Sequence, residues 1–397
     1  MSIAKQISRL GTETAFAVSA DAAEWAAQGH DVFPFHLGDM NIRTPLNIIE
    51  AGHRAMLDGK TGYAPAPGIP QLREAIAQDI GAARGVEYRM EEVSVQPGGK
   101  PSIGKFLMAL MNPGDGVLYP NPGYPIYESQ INYLGGVALP YGYHATDQGF
   151  RIDREQVERQ IGPTTRLLFY NNGQNPIGAE SDEEEMQWLA DLCLKHDLWV
   201  YSDEPYFDIR YKGASRSIVS LPGMRERTVI GHSFSKKYAM TGWRLGSAVG
   251  PKQVIDIISK LNVNYESCTN HFVQIAGVEA LTGDQSGHLD IVRTLKERRD
   301  RLTELLNAIE GVSAYRADVT FYLFPDVTGV FQRRGYTDQQ KFRRDALENA
   351  GVSFCSRSHF GTPLPGEERI FIRFAYSGID VDRIEEGITR LKAYWES

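Results

Sequence analysis

The sequence predicts an α/β protein: a mostly parallel sheet covered by helices on both faces, with a smaller α+β lobe beside it. Three observations carry this. Short apolar runs alternate with helical periodicity as far as Asp284, the runs are bounded by polar, Gly or Pro residues, and the pattern changes after Asp284. Leu72, Ile76 and Ile80 recur every fourth residue after Gly68-Ile69-Pro70, which predicts a helix. Met186, Leu189 and Cys193 predict a second one, opened by a capping box in which Ser181 caps and Glu184 reaches back. Between the helices, Val93–Val95, Val117–Tyr119, Arg166–Tyr170, Leu198–Ser202, Thr228–Gly231 and Leu245–Val249 read as buried strands. Beyond Asp284 come a long helix through Lys296-Glu297-Arg298-Arg299-Asp300 and two further strands, Phe321–Phe324 and Ile370–Phe374. The mixed signs of that charged run predict a solvated helix face. The expected division is a large domain over residues 46–284 and a small one formed by 1–45 with 285–397.

Composition narrows the function. A chain of 397 residues, 42% hydrophobic and 23% charged, has the make-up of a globular protein with one large domain and a companion. Its 42 Lys and Arg against 50 Asp and Glu give a net charge of -8, so neither nucleic acid nor an anionic membrane is an expected partner. Cys193, Cys268 and Cys355 are odd in number and far apart, which suits a reducing compartment. Glu13, Asp21 and Glu24 interrupt the first thirty residues, so no signal peptide or membrane span is read there and the expected location is the cytoplasm. The nine histidines form no metal-binding pattern, so no metal is expected. Gly99 to Lys105 approaches a nucleotide phosphate loop, but Phe106 stands where a magnesium-binding Ser or Thr belongs.

The chemistry concentrates in Gly231-His-Ser-Phe-Ser-Lys-Lys-Tyr-Ala-Met-Thr-Gly-Trp-Arg-Leu-Gly246, just after a predicted strand. Lys236 can form a Schiff base with an aldehyde, while Ser233, Ser235 and Arg244 offer hydroxyls and a planar guanidinium to a phosphate. The Ser-x-Ser-Lys portion alone also suits an ordinary loop; the added Thr-Gly-Trp-Arg-Leu-Gly makes the segment specific. It resembles the cofactor-lysine motif of class I/II aminotransferases.

Five further segments, in the family's order, extend that resemblance to aspartate aminotransferase-like enzymes from Gly38 to Arg373. Ser202-Asp203-Glu204-Pro205-Tyr206 implies that Asp203 pairs with the pyridine nitrogen of pyridoxal 5'-phosphate and Tyr206 bonds its 3-oxygen. Asn171 to Gly178 resembles the family's Asn-Pro loop and retains Asn175, implied to touch the 3-oxygen and the substrate carboxylate. Gly173 and Ile177 depart from its usual Pro and Thr, and the former bears on the loop's rigidity. Pro97-Gly98-Gly99-Lys100, opening a helix, resembles the phosphate cradle. Tyr124 is implied to stack on the ring, a contact worth about 1 kcal/mol. Tyr63 is implied to reach the phosphate of a neighbouring subunit, Gly38 to line the substrate pocket, and Arg373 to grip the α-carboxylate with a two-pronged bond that lysine cannot make.

The resemblance therefore implies a fold type I PLP-transferase with a seven-stranded sheet in its large domain and shared active sites in a homodimer. It also implies an enzyme that moves an amino group from an α-amino acid to a 2-oxo acid. Lys100 is positioned to hold a distal carboxylate, which would favour aspartate and glutamate, or to serve the phosphate. The alternatives are a lyase or decarboxylase on the same scaffold, and a non-enzymatic regulator, disfavoured because only Met1 to Leu37 precedes Gly38.

Overall fold

Runs such as Thr165–Tyr170 and Thr228–Ser233 are apolar on both faces, and a strand of that kind must be covered from both sides. The computed structural model places them at the centre of such a sheet. It describes residues 3–397, so Met1 and Ser2 of the expected small domain lie outside the described residues.

In chain order the strands are β1 (Phe33–Pro34), β2 (Val93–Gln96), β3 (Gly116–Pro120), β4 (Val137–Tyr141), β5 (Tyr143–Thr146), β6 (Gly149–Ile152) and β7 (Thr165–Tyr170). They continue with β8 (Trp199–Asp203), β9 (Thr228–Ser233), β10 (Gly246–Val249), β11 (Tyr322–Leu323), β12 (Val352–Ser353), β13 (Cys355–Ser356) and β14 (Ile372–Ala375). Seven of them form one sheet in the order β2-β10-β9-β8-β7-β3-β4. Six run in one direction, and β10 alone is reversed, antiparallel to both its neighbours. The carboxyl ends of β2, β7, β8 and β9 consequently share one edge, where an open α/β sheet forms its binding crevice.

Helices α1 (Ala15–Ala27), α2 (Leu46–Leu57), α3 (Pro70–Arg84) and α4 (Lys100–Leu110) precede most of that sheet. The predicted stripe of α3, Leu72, Ile76 and Ile80, packs with Val93, Val95 and Ile230 on one side of the sheet. Ile103, Phe106 and Leu107 of α4 pack with Leu167, Phe169 and Val229 on the other. Beyond the sheet, β11, β14 and β13 form an antiparallel three-stranded sheet and β1 pairs with β12. Phe35, Phe354, Phe374 and Trp395 fill the core around them.

Two expectations need correction. The helix Glu183–Lys195 is capped by Asp182, whose carboxylate accepts from the Glu185 amide at 2.9 Å. Ser181 instead donates its amide to Asn172 Oδ1, and Glu184 turns outward to Arg154. An aspartate next to the predicted cap is an equally good acceptor, so the sequence rule was met one residue later. The charged run inside the helix Ser286–Asn307 is not uniformly solvated either. Arg298 and Arg299 are buried, the first held by Asn41, Asp380 and the Ser377 carbonyl, the second by Asp318, Asp300 and the Ala317 carbonyl. Their guanidinium planes supply enough donors to satisfy buried acceptors from several segments. No helix among the described residues is long and apolar enough to cross a membrane.

Candidate active site

The loops that leave the shared sheet edge surround a cavity of about 550 Å³. Asp203 reaches it from the last residue of β8, and Ser233 from the last of β9. Lys236 follows in a single helical turn, Phe234–Lys237, capped by the Ser233 hydroxyl. From the second sheet come Tyr322 and Arg373, and from the N-terminal segment Gly38, Asp39 and Glu13. Of the residues singled out in the sequence, Gly38, Gly99, Lys100, Tyr124, Asn175, Asp203, Tyr206, Ser233, Ser235, Lys236, Arg244 and Arg373 all line this space. Gly98 adjoins it behind Arg244. Tyr63 does not line it and is 89% exposed.

Two adjacent lysines show what the site does to an amine. Lys237 lies 3.2 Å from Asp208 and 3.5 Å from Asp79, and those carboxylates hold it charged. Lys236 has no carboxylate partner among the described residues; its Nζ donates to the Gly38 carbonyl at 2.8 Å. Burial brings its pKa down to about 8, against the pull of Asp39 and Glu13 and with help from Arg373 and Arg244. An amine so poised is uncharged often enough near neutrality to act as a nucleophile or base.

Asp203 is perturbed in the opposite direction. Burial pushes its carboxyl up to about 7, the hydrogen bond from Tyr127 opposes this, and Glu204 adds to it. Glu204 itself is buried against Arg84 at 2.7 Å, so that arginine does not serve Asp203. A cavity-lining carboxylate with no cation paired to it among the described residues fits a ligand that supplies the positive charge, as a protonated pyridine nitrogen does.

The phosphate end of the same ligand also fits. A Cβ on Gly98, at φ 96°, would meet Arg244 Nη2 at 2.2 Å, so only glycine leaves room for the guanidinium there. Arg244 bonds the Thr241 carbonyl and forms no ion pair among the described residues, leaving donors beside Ser233, Ser235 and the start of α4. That helix opens without a side-chain cap; Pro101 has no N–H and the Ser102 amide donates to the Gly99 carbonyl, so the Gly99 and Lys100 amides are the ones left for an anion.

Arg373 projects from β14 between the rings of Tyr322 and Phe360, with its carbon centre 4.6 and 4.7 Å from them. It donates to Asn175 Oδ1 at 3.0 Å and to the His36 carbonyl, while Nε is buried without a partner. The Asn175 loop is closed despite its Gly173, because the amides of Gly173 and Gln174 both donate to the Ala179 carbonyl at 3.0 Å. Tyr206 and Tyr322 share a hydrogen bond of 2.9 Å.

Among the lining residues that sequence reasoning missed are the polar groups Glu13, Tyr127, Tyr322 and Asp39. Tyr127 stands three positions after Tyr124, and Tyr322 lies inside a run read as a strand, so a spacing rule and an alternation rule respectively pointed toward them. For Glu13 no motif exists.

The profile of "Aminotransferase class I and II" matches residues 31–391. The chain is 33% identical over 396 residues to a "Probable aspartate/prephenate aminotransferase" of Aquifex aeolicus, covering 98% of each. It is 31% identical to an "Aspartate aminotransferase" of Bacillus subtilis, covering 100% of this chain and 99% of that one. Among solved structures, the aspartate aminotransferase from Thermus thermophilus with maleate superposes with a TM-score of 0.90 at 30% identity, over 99% of both chains. With that match along nearly its whole length, the chain belongs to the class I and II aminotransferases, enzymes of fold type I that work with pyridoxal 5'-phosphate.

Proposed function

We propose that this aminotransferase binds pyridoxal 5'-phosphate through Lys236 in the cavity at the sheet edge. There it moves the amino group of an α-amino acid to a 2-oxo acid. The observation that carries the assignment is the pairing, in one cavity, of an amine with lowered proton affinity and a carboxyl with raised proton affinity. When bound, the cofactor supplies an electron sink for the carbanion left at the substrate's Cα.

The protein's part is positioning and proton movement. Asp203 sets the charge at the ring nitrogen, Tyr206 and Asn175 address the 3-oxygen, and Tyr124 covers the ring. Gly98, Gly99, Ser233, Ser235 and Arg244 hold the phosphate. Arg373 takes the α-carboxylate on its two-pronged edge, which orients the Cα–H bond toward the Lys236 amine. That amine removes the proton and returns it on the other side of the transfer. Gly38, whose carbonyl accepts from Lys236 Nζ, fixes where the amine rests.

The same proposal divides the chain into residues 46–284 and residues 1–45 with 285–397, the cavity lying between these parts. It also includes a cytoplasmic homodimer in which Tyr63 acts on the neighbouring subunit's phosphate. The exposure of Tyr63 and the three free thiols support it. A holoprotein sedimenting as a single chain would remove the role of Tyr63.

The test is product analysis on the holoenzyme with a panel of amino donors and 2-oxo acids. Stoichiometric exchange of amino group and oxygen between donor and acceptor is expected. Ammonia and pyruvate released without an acceptor would overturn amino transfer in favour of the lyase alternative.

A further inference from the structure

Lys100 is the cation placed to read a second carboxylate on a substrate, yet the chain itself already occupies it. Its Nζ lies 3.0 Å from Glu13 Oε2, and Tyr124 donates its hydroxyl to the same oxygen at 3.1 Å. Lys100 also sits 5.6 Å from the centre of the Tyr124 ring, so the three side chains form one cluster on the cavity wall. Glu13 is not a loose end. Thr14 beside it bonds the His359 carbonyl at 2.9 Å, the Gly11 carbonyl accepts from Ser129 at 3.2 Å, and α1 follows directly. Both contacts to Glu13 use Oε2, which leaves Oε1 without a donor among the described residues.

We propose that Glu13 is a specificity-determining residue. By pairing with Lys100 it cancels the charge that would hold a distal carboxylate. The site therefore disfavours aspartate and glutamate and takes donors whose side chains end in an N–H or O–H group. The inference rests on the amino-transfer reading and narrows it.

A distal carboxylate arriving at Lys100 has to displace Glu13 from it and then remain beside that carboxylate, in a cavity that Asp39 also lines. A terminal amide or hydroxyl donates to the free Oε1 and leaves the Glu13–Lys100 pair intact. Discrimination of this kind works by repelling the wrong ligand as much as by attracting the right one. Arg373 is unaffected, since it reads the α-carboxylate common to all donors.

Glu13→Gln removes the negative charge while keeping the size and the acceptor for Lys100. Maleate, a dicarboxylate, and propionate, a monocarboxylate, are titrated calorimetrically into the wild-type holoenzyme and into this variant. Aspartate, asparagine and alanine are compared in single-turnover reactions. Maleate is expected to bind about tenfold more tightly to the variant with propionate changed by less than about twofold, and the aspartate-to-asparagine rate ratio to rise about tenfold. Adding Lys100→Ala to the variant is expected to abolish both gains. Unchanged or weaker maleate binding in Glu13→Gln, or a gain that survives removal of Lys100, would overturn the proposal. If neither protein turns over any donor, the amino-transfer reading fails, and maleate binding still decides the role of Glu13.

Discussion

The cavity has two walls of different origin. One is built where four strands of the large sheet end, and there Lys236, Asp203, Asn175 and the glycines before α4 arrive within a turn or two of regular structure. The other is built by Glu13, Phe16, Tyr322 and Arg373, brought together from the N-terminal segment and the second sheet. The first wall carries the groups whose proton affinities are displaced, Lys236 downward and Asp203 upward, each chiefly by burial. The second carries the groups proposed to meet the substrate. Chemistry fixed on a rigid edge and selectivity delivered by distant segments allow one set of motifs to serve different donors.

If that division holds, substitutions on the first wall should cripple every donor alike, and those on the second should grade from uniform to donor-dependent. The largest effect after loss of Lys236 is expected at Asp203. Asp203→Asn should cut turnover by about a thousandfold or more for all donors, because the ring nitrogen loses its counter-ion.

The same variant carries a stability signature that needs no turnover. In the cofactor-free protein the folded pKa of about 7 lies above the ordinary carboxylate value, so the folded state binds the extra proton. Its contribution to stability is therefore complete below about pH 4 and is lost as pH rises through about 7. Thermal unfolding of the cofactor-free proteins checks this. Asp203→Asn should melt higher than wild type at about pH 8, with the gap closing toward about pH 4. A gap that is the same at both pH values would place the charge of Asp203 elsewhere.

A smaller and still uniform loss is expected at Arg373. Arg373→Lys keeps the charge and loses the fork, so kcat/KM should fall by about a hundredfold for acidic, amide and aliphatic donors together. A loss confined to one class of donor would move Arg373 to the distal end. The smallest effect, and the only one that should depend on the donor, is the roughly tenfold shift in selectivity expected on altering Glu13.

Legibility in the sequence followed the same division. Six strands of the large sheet could be read because covered strands are short runs with few charges, and their motifs could be read because each is local, whereas the partly exposed edge strand β4 was missed. Asp203 to Tyr206 occupy four consecutive positions, and Lys236 to Arg244 nine. Glu13 could not be read. Its partner Lys100 is 87 residues away, and nothing in a single sequence states that α1 packs its leading segment over α4. Arg298 and Arg299 were misread for a related reason. A charged run declares its solvation only once the distant acceptors Asp318, Asp380 and Ser377 are in place around it.

The central claim is that the first wall singles out Lys236 for the cofactor while the adjacent Lys237, ion-paired with Asp208 and Asp79, stays structural. Borohydride reduction of the holoenzyme followed by sequencing mass spectrometry of the peptide spanning Ser233 to Arg244 tests it directly. The account predicts that the cofactor's mass is fixed on Lys236 alone and that Lys236→Ala loses both the label and turnover. A label on Lys237, or on any other lysine in the native enzyme, would contradict it.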